Sequence, residues 1–120
     1  MNDTQKTILA IDDDADIRLL ITLLLKRNNY KVTSLPDTDK ELSDLNPDLV
    51  ILDMWLTNKD GRDICKVIKT SNRLKHIPVI MMSAHVNARE LCLDAGADYF
   101  IDKPFDLNSM LQLIKKAFAH

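Results

Sequence analysis

Two patterns of hydrophobic and polar residues alternate along this chain. Short runs of aliphatic and β-branched residues, such as Leu49-Val50-Ile51-Leu52, are typical of buried parallel strands. Longer segments repeat their apolar residues every three or four positions, as amphipathic helices do. The predicted strands lie near residues 7–12, 30–34, 48–53, 77–82 and 98–102. The predicted helices lie near residues 15–28, 37–45, 62–71, 85–95 and 106–118.

The helical segments carry apolar stripes and end signals. The stripe of the first helix contains Ile17, Leu20, Ile21, Leu24 and Leu25. The stripe of the last helix contains Leu107, Met110, Leu111 and Ile114, and Asp106 precedes it as an amino-terminal cap. Gly96 comes after the fourth helix, where a carboxyl-terminal cap is expected. The segment 37–45 fits a helix or a loop, because Asp37, Thr38 and Asp39 suit both.

Strands that alternate with helices predict an α/β fold. We expect a flavodoxin-like, doubly wound, five-stranded parallel sheet with strand order 2-1-3-4-5 and five helices on its two faces. The 120 residues suffice for one compact domain with a core and are too few for two. Residues 1–120 are therefore expected to form a single domain.

Composition narrows the function classes. The formal net charge is −2, so no basic field favours direct nucleic-acid binding. No apolar stretch reaches membrane-spanning length and no signal peptide precedes the first strand, so we expect a cytoplasmic protein without membrane contact. Cys65 and Cys92 lack CxxC or CxxH spacing, which favours reduced packing residues over a disulfide or a metal site.

Charged residues stand at three predicted strand ends. Asp12 and Asp13 come after the first strand, Asp53 closes the third, and Lys103 comes after the fifth. The first and third strands are neighbours in the expected order, so the three acids should lie together at the carboxyl edge of the sheet. Close carboxylates repel one another unless a cation intervenes, and hard oxygen ligands suit Mg²⁺. Such a site could transfer a phosphoryl group to Asp53, with Lys103 paired to a phosphoryl oxygen.

Five motifs with little specificity alone occur here in one order. They are Ile8-Leu9-Ala10-Ile11-Asp12-Asp13-Asp14, Pro47-Asp48-Leu49-Val50-Ile51-Leu52-Asp53-Met54 with the later Asp60-Gly61, Ile77-Pro78-Val79-Ile80-Met81-Met82-Ser83-Ala84, Ala95-Gly96-Ala97-Asp98 and Lys103-Pro104-Phe105. With them the chain resembles a response-regulator receiver domain of two-component signalling, of the chemotaxis-regulator-like kind. The resemblance extends from Ile8 to about Phe118.

The resemblance implies that Asp53 accepts a phosphoryl group from a sensor histidine kinase or a phosphotransfer domain. Asp13 and Asp53 would bind Mg²⁺ directly with the backbone carbonyl of Trp55, and Asp12 would hold it through water. Lys103 would pair with the phosphoryl group. Such a domain catalyses its own phosphorylation and slow dephosphorylation, and is not an enzyme acting on other substrates.

The same resemblance assigns a switch. Ser83 would hydrogen-bond the phosphoryl group, and Phe100 occupies the family's aromatic switch position, although it lacks the hydroxyl of a switch tyrosine. Phosphorylation would thereby change partner binding. The bond between Lys103 and Pro104 is expected to be cis.

The loop after Asp53 departs from the family pattern. The usual proline and glycine, four and five residues beyond the acceptor, are replaced here by Thr57 and Asn58. Asparagine tolerates a left-handed backbone, so the turn is expected to survive. Trp55 and His85 each stand two positions after a site residue, so both should overhang the mouth of the pocket.

Two apolar residues, Leu19 and Leu23, fall off the core stripe of the first helix. They are either scattered exposed residues or, with Pro104 and Phe105, part of a docking surface for a kinase. The resemblance allows a weak homodimer. The downstream effector is undefined, and both a stand-alone regulator and a piece of a longer protein remain open.

Three other functions fit parts of the pattern. A haloacid-dehalogenase-like phosphatase uses a strand-end aspartate with Mg²⁺, but it needs a second acid where Trp55 stands. A nucleotide or flavin site needs a glycine loop after the first strand, and the chain has only Gly61 and Gly96. A pseudo-receiver that only binds partners would lack one of the acids or the lysine, and none is missing.

Overall fold

The computed structural model describes residues 5–38 and 42–119, and its elements alternate as predicted. The strands are β1 (Thr7–Ile11), β2 (Lys31–Leu35), β3 (Leu49–Asp53), β4 (Val79–Ser83) and β5 (Tyr99–Asp102). The helices are α1 (Ala15–Arg27), α2 (Gly61–Thr70), α3 (Ala88–Asp94) and α4 (Leu107–Phe118), and a 3₁₀ helix spans Leu42–Leu45. No helix of the described residues is long and apolar enough to cross a membrane.

The five strands form one parallel sheet in the order β2-β1-β3-β4-β5. This confirms the predicted strand order. In register, Ile11 of β1 lies opposite Leu52, and Asp53 of β3 lies opposite Met82. The carboxyl ends of the central strands therefore reach the same edge of the sheet, which is where the predicted site residues stand.

The core lies on both faces of the sheet. Neighbouring strand residues point to opposite sides, so Leu9 and Ile8 of β1 belong to different apolar clusters. The cluster that contains Ile8 also contains residues of α1 and α4, and the cluster that contains Leu9 contains residues of α2 and α3. Helices on both sides explain why β3 and β4 are buried along their whole length and read as continuous apolar runs.

Both cysteines are packing residues of the cluster beneath α2 and α3. Cys65 and Cys92 are free and fully buried. Burial disfavours the thiolate and raises the pKa of both thiols to about 11, so they stay protonated at neutral pH.

Capping side chains mark the helix ends. Asp14 caps the amino terminus of α1, where its side chain accepts hydrogen bonds from the amides of Asp16 and Ile17 at 2.9 and 3.3 Å. Asp106 caps α4 in the same way, as expected, by accepting from the amide of Ser109 at 2.8 Å. Gly96 comes after α3 with a φ of +107°, which confirms the predicted glycine cap.

The prediction of a fifth helix at 37–45 is wrong, because the described residues contain four α-helices. Part of that segment, 39–41, lies outside the described residues, and the 3₁₀ helix begins directly after it. Asp37 instead accepts a hydrogen bond from the amide of Thr38 at 2.6 Å and pairs with Lys59 at 3.3 Å. Such local side-chain bonds compete with helical hydrogen bonds.

Two residues assigned to apolar core stripes are exposed. Leu20 of α1 is 46% exposed and Leu107 of α4 is 38% exposed. Ile21 and Leu25 carry the burial of α1, and Met110 and Ile114 that of α4. The buried face of each helix is thus narrower than its apolar pattern indicates.

Gly61 lets helix α2 start directly against the end of β3. A Cβ atom at this position would lie 2.1 Å from the carbonyl oxygen of Asp53 and 3.0 Å from that of Met54. The Gly61 amide donates to the Met54 carbonyl at 2.7 Å, which closes the loop between β3 and α2. Any side chain here would have to displace backbone at the predicted site.

We predict that Gly61→Ala lowers the free energy of unfolding by about 1–3 kcal/mol, since the methyl group overpacks a site bounded by backbone. Urea unfolding followed by circular dichroism measures the change. Without this clash, alanine at a helical glycine would stabilise the protein by about 0.4–1 kcal/mol. Lys66→Ala, an exposed change in the same helix, is the control; a gain of stability in Gly61→Ala would contradict the prediction.

Candidate functional site

Lys103 links two buried carboxylates at the carboxyl edge of the sheet. Its Nζ lies 2.8 Å from Asp12 Oδ2 and 3.0 Å from Asp53 Oδ1. Asp12 is fully buried and Asp53 is 6% exposed. Three residues that stand at different strand ends in the sequence are therefore in direct contact, as the strand order predicted.

The loop after β1 holds Asp12 through both its backbone and its side chain. Its amide donates to the Leu35 carbonyl at 3.1 Å, and its Oδ1 accepts from the amide of Asp14 at 2.9 Å. The guanidinium of Arg18 donates to the Asp12 carbonyl at 2.6 Å. These bonds satisfy the polar groups of Asp12 despite its burial and fix the carboxylate toward Lys103.

Asp13 completes a cluster of three acids. One carboxylate oxygen each of Asp12, Asp13 and Asp53 lies within 4.8 Å of the others. Asp13 is exposed, so the cluster opens to solvent on its side. Oxygen donors at this spacing, two of them buried beside a single lysine, fit the needs of a hard cation such as Mg²⁺.

The surroundings of Asp53 favour its neutral form. Burial, and after it the charge of Asp12, raises the pKa of Asp53 from 3.8 to about 6, although Lys103 acts in the opposite direction. Burial also opposes the charged form of Lys103, but its bonds to Asp12 and Asp53 outweigh this and raise the pKa of Lys103. The lysine therefore stays charged, and the cluster keeps an excess of negative charge.

Backbone hydrogen bonds join the loop between β3 and α2 to β4 and close it on itself. The Met54 amide donates to the Met82 carbonyl at 2.8 Å, and the Leu56 amide donates to the Lys59 carbonyl at 3.0 Å. Asn58 is not among the described residues with a left-handed backbone, so the turn survives without the conformation that was expected of it. Thr57 donates its hydroxyl to Asp13 Oδ2 at 2.6 Å.

Three side chains form a connected group beside the loop that follows Asp53. The Trp55 and His85 rings are 5.8 Å apart, edge to face at 70°, and the Arg62 guanidinium lies 5.2 Å from the centre of the indole. Asp60 holds that guanidinium with a shortest contact of 2.6 Å. Trp55 is 41% exposed and His85 is exposed, which agrees with positions at a pocket mouth.

Of the residues assigned to the switch, Ser83 ends β4 and Phe100 lies within β5. Ser83 is 2% exposed; its Oγ accepts from the His85 amide at 3.0 Å, and its carbonyl accepts from the Lys103 amide at 2.9 Å. Phe100 is 6% exposed and belongs to the cluster beneath α2 and α3. The bond between Lys103 and Pro104 is cis, as expected.

The residues assigned to docking differ in their exposure to solvent. Leu19 and Leu23 are each 57% exposed, and the neighbouring Leu20 extends the same apolar surface. Pro104 is exposed, but Phe105 packs partly against the cluster beneath α1 and α4.

Sequence reasoning missed the polar partners of the site. Arg18 stands six residues after Asp12, and Arg62 stands two after Asp60; both spacings are visible in the sequence but specify no contact. Thr57 stands out in the sequence only because it departs from the family pattern. Its bond to Asp13 spans 44 positions, so no local signal could have found it.

Comparisons with known proteins agree on one family. The family model described as the response regulator receiver domain matches residues 8–115. The two-component response regulator ORR7 of Oryza sativa subsp. japonica is 39% identical over 103 residues, which are 81% of this chain and 49% of that protein. The chain spans about half the length of the curated relatives it matches.

Solved structures match the fold closely. The receiver domain of NtrX from Brucella abortus is 32% identical with a TM-score of 0.83, covering 93% of this chain and 98% of that one. The receiver domain of a sensor histidine kinase from Pseudomonas aeruginosa is 22% identical with a TM-score of 0.86, covering 98% of this chain and 100% of that one. That second structure has a magnesium ion coordinated in its active site cleft.

We predict that Asp53→Asn stabilises the metal-free protein at pH 7.5 by about 1–3 kcal/mol, because the folded state then no longer buries a carboxylate with a raised pKa. The pKa of Asp53 is higher in the folded than in the unfolded chain, so its contribution favours folding at low pH and is lost as the pH rises through about 6. The advantage of the variant should therefore grow between pH 4 and 6 and then level off.

Urea unfolding in chelator across that pH range measures the effect. Asp102→Asn removes an exposed carboxylate at the same sheet edge and serves as control. A stability difference between Asp53→Asn and wild type that is independent of pH would contradict the prediction.

Proposed function

This chain belongs to the response regulator receiver domain family, and from that membership we propose that Asp53 is its phospho-acceptor. The contact that supports this most directly is the pairing of Asp53 with Lys103 at 3.0 Å, beside two further acids. A buried nucleophilic carboxylate, a fixed ammonium and a cluster of oxygen ligands are what phosphoryl transfer to an aspartate requires.

In the proposed step, a carboxylate oxygen of Asp53 attacks the phosphorus of a phosphohistidine. The new bond joins that oxygen to phosphorus, and the bond between phosphorus and the imidazole nitrogen breaks with its electron pair left on nitrogen. Asp53 must be ionised to attack, and a pKa of about 6 leaves most of it ionised at neutral pH even without a metal. The donor is a sensor histidine kinase or a phosphotransfer domain.

Lys103 is proposed to stay with the acceptor throughout. It is charged and already within 3.0 Å of the carboxylate, so a small movement would bring it to an oxygen of the attached phosphoryl group. Its second partner, Asp12, keeps the ammonium at the sheet edge while that change occurs.

The cofactor proposed for the site is Mg²⁺. Asp13, Asp53 and the backbone carbonyl of Trp55 would hold it directly, and Asp12 would hold it through water. When bound, Mg²⁺ supplies charge neutralisation at the phosphoryl oxygens. The three-acid cluster and the excess of negative charge around Asp53 support this assignment.

The proposed switch runs through Ser83. Its hydroxyl accepts a bond from the His85 amide now, and it would turn to donate to the phosphoryl group. Phe100 would move into the space that this opens and remodel the surface of α3, β5 and α4. New charge-assisted contacts would bias an equilibrium between two conformations, and partner affinity would change with it.

Four residues are proposed to bind the kinase. Leu19, Leu23, Pro104 and Phe105 are the proposed kinase docking residues, and the 57% exposure of both leucines supports that role. Residues 1–120 are proposed as one receiver domain. The curated relatives are about twice as long as this chain, and their additional length is a property of those proteins.

Phosphorylation is predicted to occur at Asp53 alone, since of the two carboxylates that contact Lys103 it is the one that keeps some exposure: Asp53 is 6% exposed, whereas Asp12 is fully buried. Acetyl phosphate with Mg²⁺ should add one base-labile phosphoryl group, seen by intact-protein mass spectrometry. Asp53→Asn should remove the labelling, and Asp13→Asn should nearly abolish it while weakening Mg²⁺ binding.

Asp102→Asn is the matched control, because it removes a carboxylate at the same sheet edge outside the cluster. Full labelling of Asp53→Asn would overturn the assignment. Normal Mg²⁺ affinity in Asp13→Asn would show that the metal site is wrong.

The switch predicts that beryllofluoride, a phosphoryl mimic, shifts amide NMR signals of α3, β5 and α4 in the wild type. Ser83→Ala should lose most of these shifts and still bind the mimic, since the hydroxyl reports binding and does not attack phosphorus. Ser34→Ala, an exposed change in β2, should behave as wild type. Equal shifts in Ser83→Ala and wild type would refute the role of Ser83.

A further inference from the structure

The loop after Asp53 is bonded directly to the loop after β1. Thr57 Oγ1 donates to Asp13 Oδ2 at 2.6 Å, between residues 44 positions apart. Both residues are exposed, so core packing does not force the contact. Each of the two loops carries proposed ligands of the same cation.

We propose that Thr57 is a positioning residue that holds Asp13 in place for metal binding, an inference that rests on the function proposed above. A carboxylate can accept a hydroxyl on one oxygen while it binds a cation through the other. Partners of this kind orient a ligand before the metal arrives, and their loss commonly costs about 10- to 100-fold in metal affinity.

Asp13 needs such a partner because its neighbours repel it. Its carboxylate lies within 4.8 Å of those of Asp12 and Asp53, and among the described residues Lys103 forms its ion pairs with Asp12 and Asp53. An exposed side chain that is repelled by two like charges lowers the electrostatic free energy when it turns away into water. The bond from Thr57 opposes that movement and keeps the third acid facing the cluster.

The bond from Thr57 to Asp13 also restrains the loop that follows Asp53. That loop is closed on itself between Gly61 and Met54, and Lys59 ties it to Asp37 at 3.3 Å. Thr57 adds a connection to the acidic loop across the proposed metal site. Loops fixed before binding lose less conformational entropy when the cation is bound, which raises affinity.

Isothermal titration of the metal-free protein with MgCl₂ tests the inference. Thr57→Val removes the hydroxyl and keeps the branched shape, and its dissociation constant for Mg²⁺ should rise about tenfold. Thr57→Ser keeps the hydroxyl and should restore wild-type affinity. Thr70→Val removes another exposed hydroxyl, bonded to the Lys66 carbonyl at 2.7 Å at the far end of α2, and should bind Mg²⁺ as wild type does.

A second measurement separates positioning from folding. Unfolding of the two valine variants in chelator should show changes of similar size, while only Thr57→Val loses metal affinity. Wild-type or tighter Mg²⁺ binding by Thr57→Val overturns the inference, as does a loss that Thr57→Ser fails to restore. Absence of Mg²⁺ binding by the wild type would overturn the proposed cofactor itself, and the inference with it.

Discussion

The ion pairs of Lys103 with Asp12 and Asp53 determine how the site can work. Two carboxylates at neighbouring strand ends are removed from water, and one ammonium at 2.8 and 3.0 Å offsets their repulsion. Burial of Asp53, and after it the charge of Asp12, outweighs the effect of this one ammonium, so the pKa of Asp53 still rises to about 6. Repulsion between the carboxylates therefore remains at this edge of the sheet. A bound cation, or neutralisation of the Asp53 carboxylate, would reduce it.

Backbone contacts connect the site residues to neighbouring elements of the domain. Gly61 starts α2 against the carbonyl of Asp53, and the amide of Met54 bonds across to β4. The Lys103 amide in turn bonds to the Ser83 carbonyl, which connects the lysine to the end of β4. A change in charge or bonding at Asp53 therefore acts on strand ends that share hydrogen bonds, rather than on an isolated side chain.

The loop that follows Asp53 is held by side-chain bonds that differ from the family pattern. The family's usual proline and glycine are absent, and Thr57 instead bonds to Asp13 while Lys59 pairs with Asp37. A side-chain bond can be exchanged more readily than a proline ring, which restricts the backbone permanently. These side-chain bonds add to the backbone bonds from Leu56 to Lys59 and from Gly61 to Met54, which close the loop without either side chain.

Features that depend on neighbours along the chain could be predicted from the amino-acid sequence. The period of the apolar residues predicted all five strands and four of the helices, and Asp106 and Gly96 marked helix ends because capping acts within a turn. The strand order then brought Asp12, Asp53 and Lys103 together, since parallel strands end at one edge. The three-dimensional packing was needed to show that Leu20 is exposed, that the described residues of the segment 37–45 form no α-helix, and that Thr57 reaches Asp13. Those outcomes depend on contacts between loops and helix faces that are distant in the sequence. The local spacing of residues does not determine such contacts.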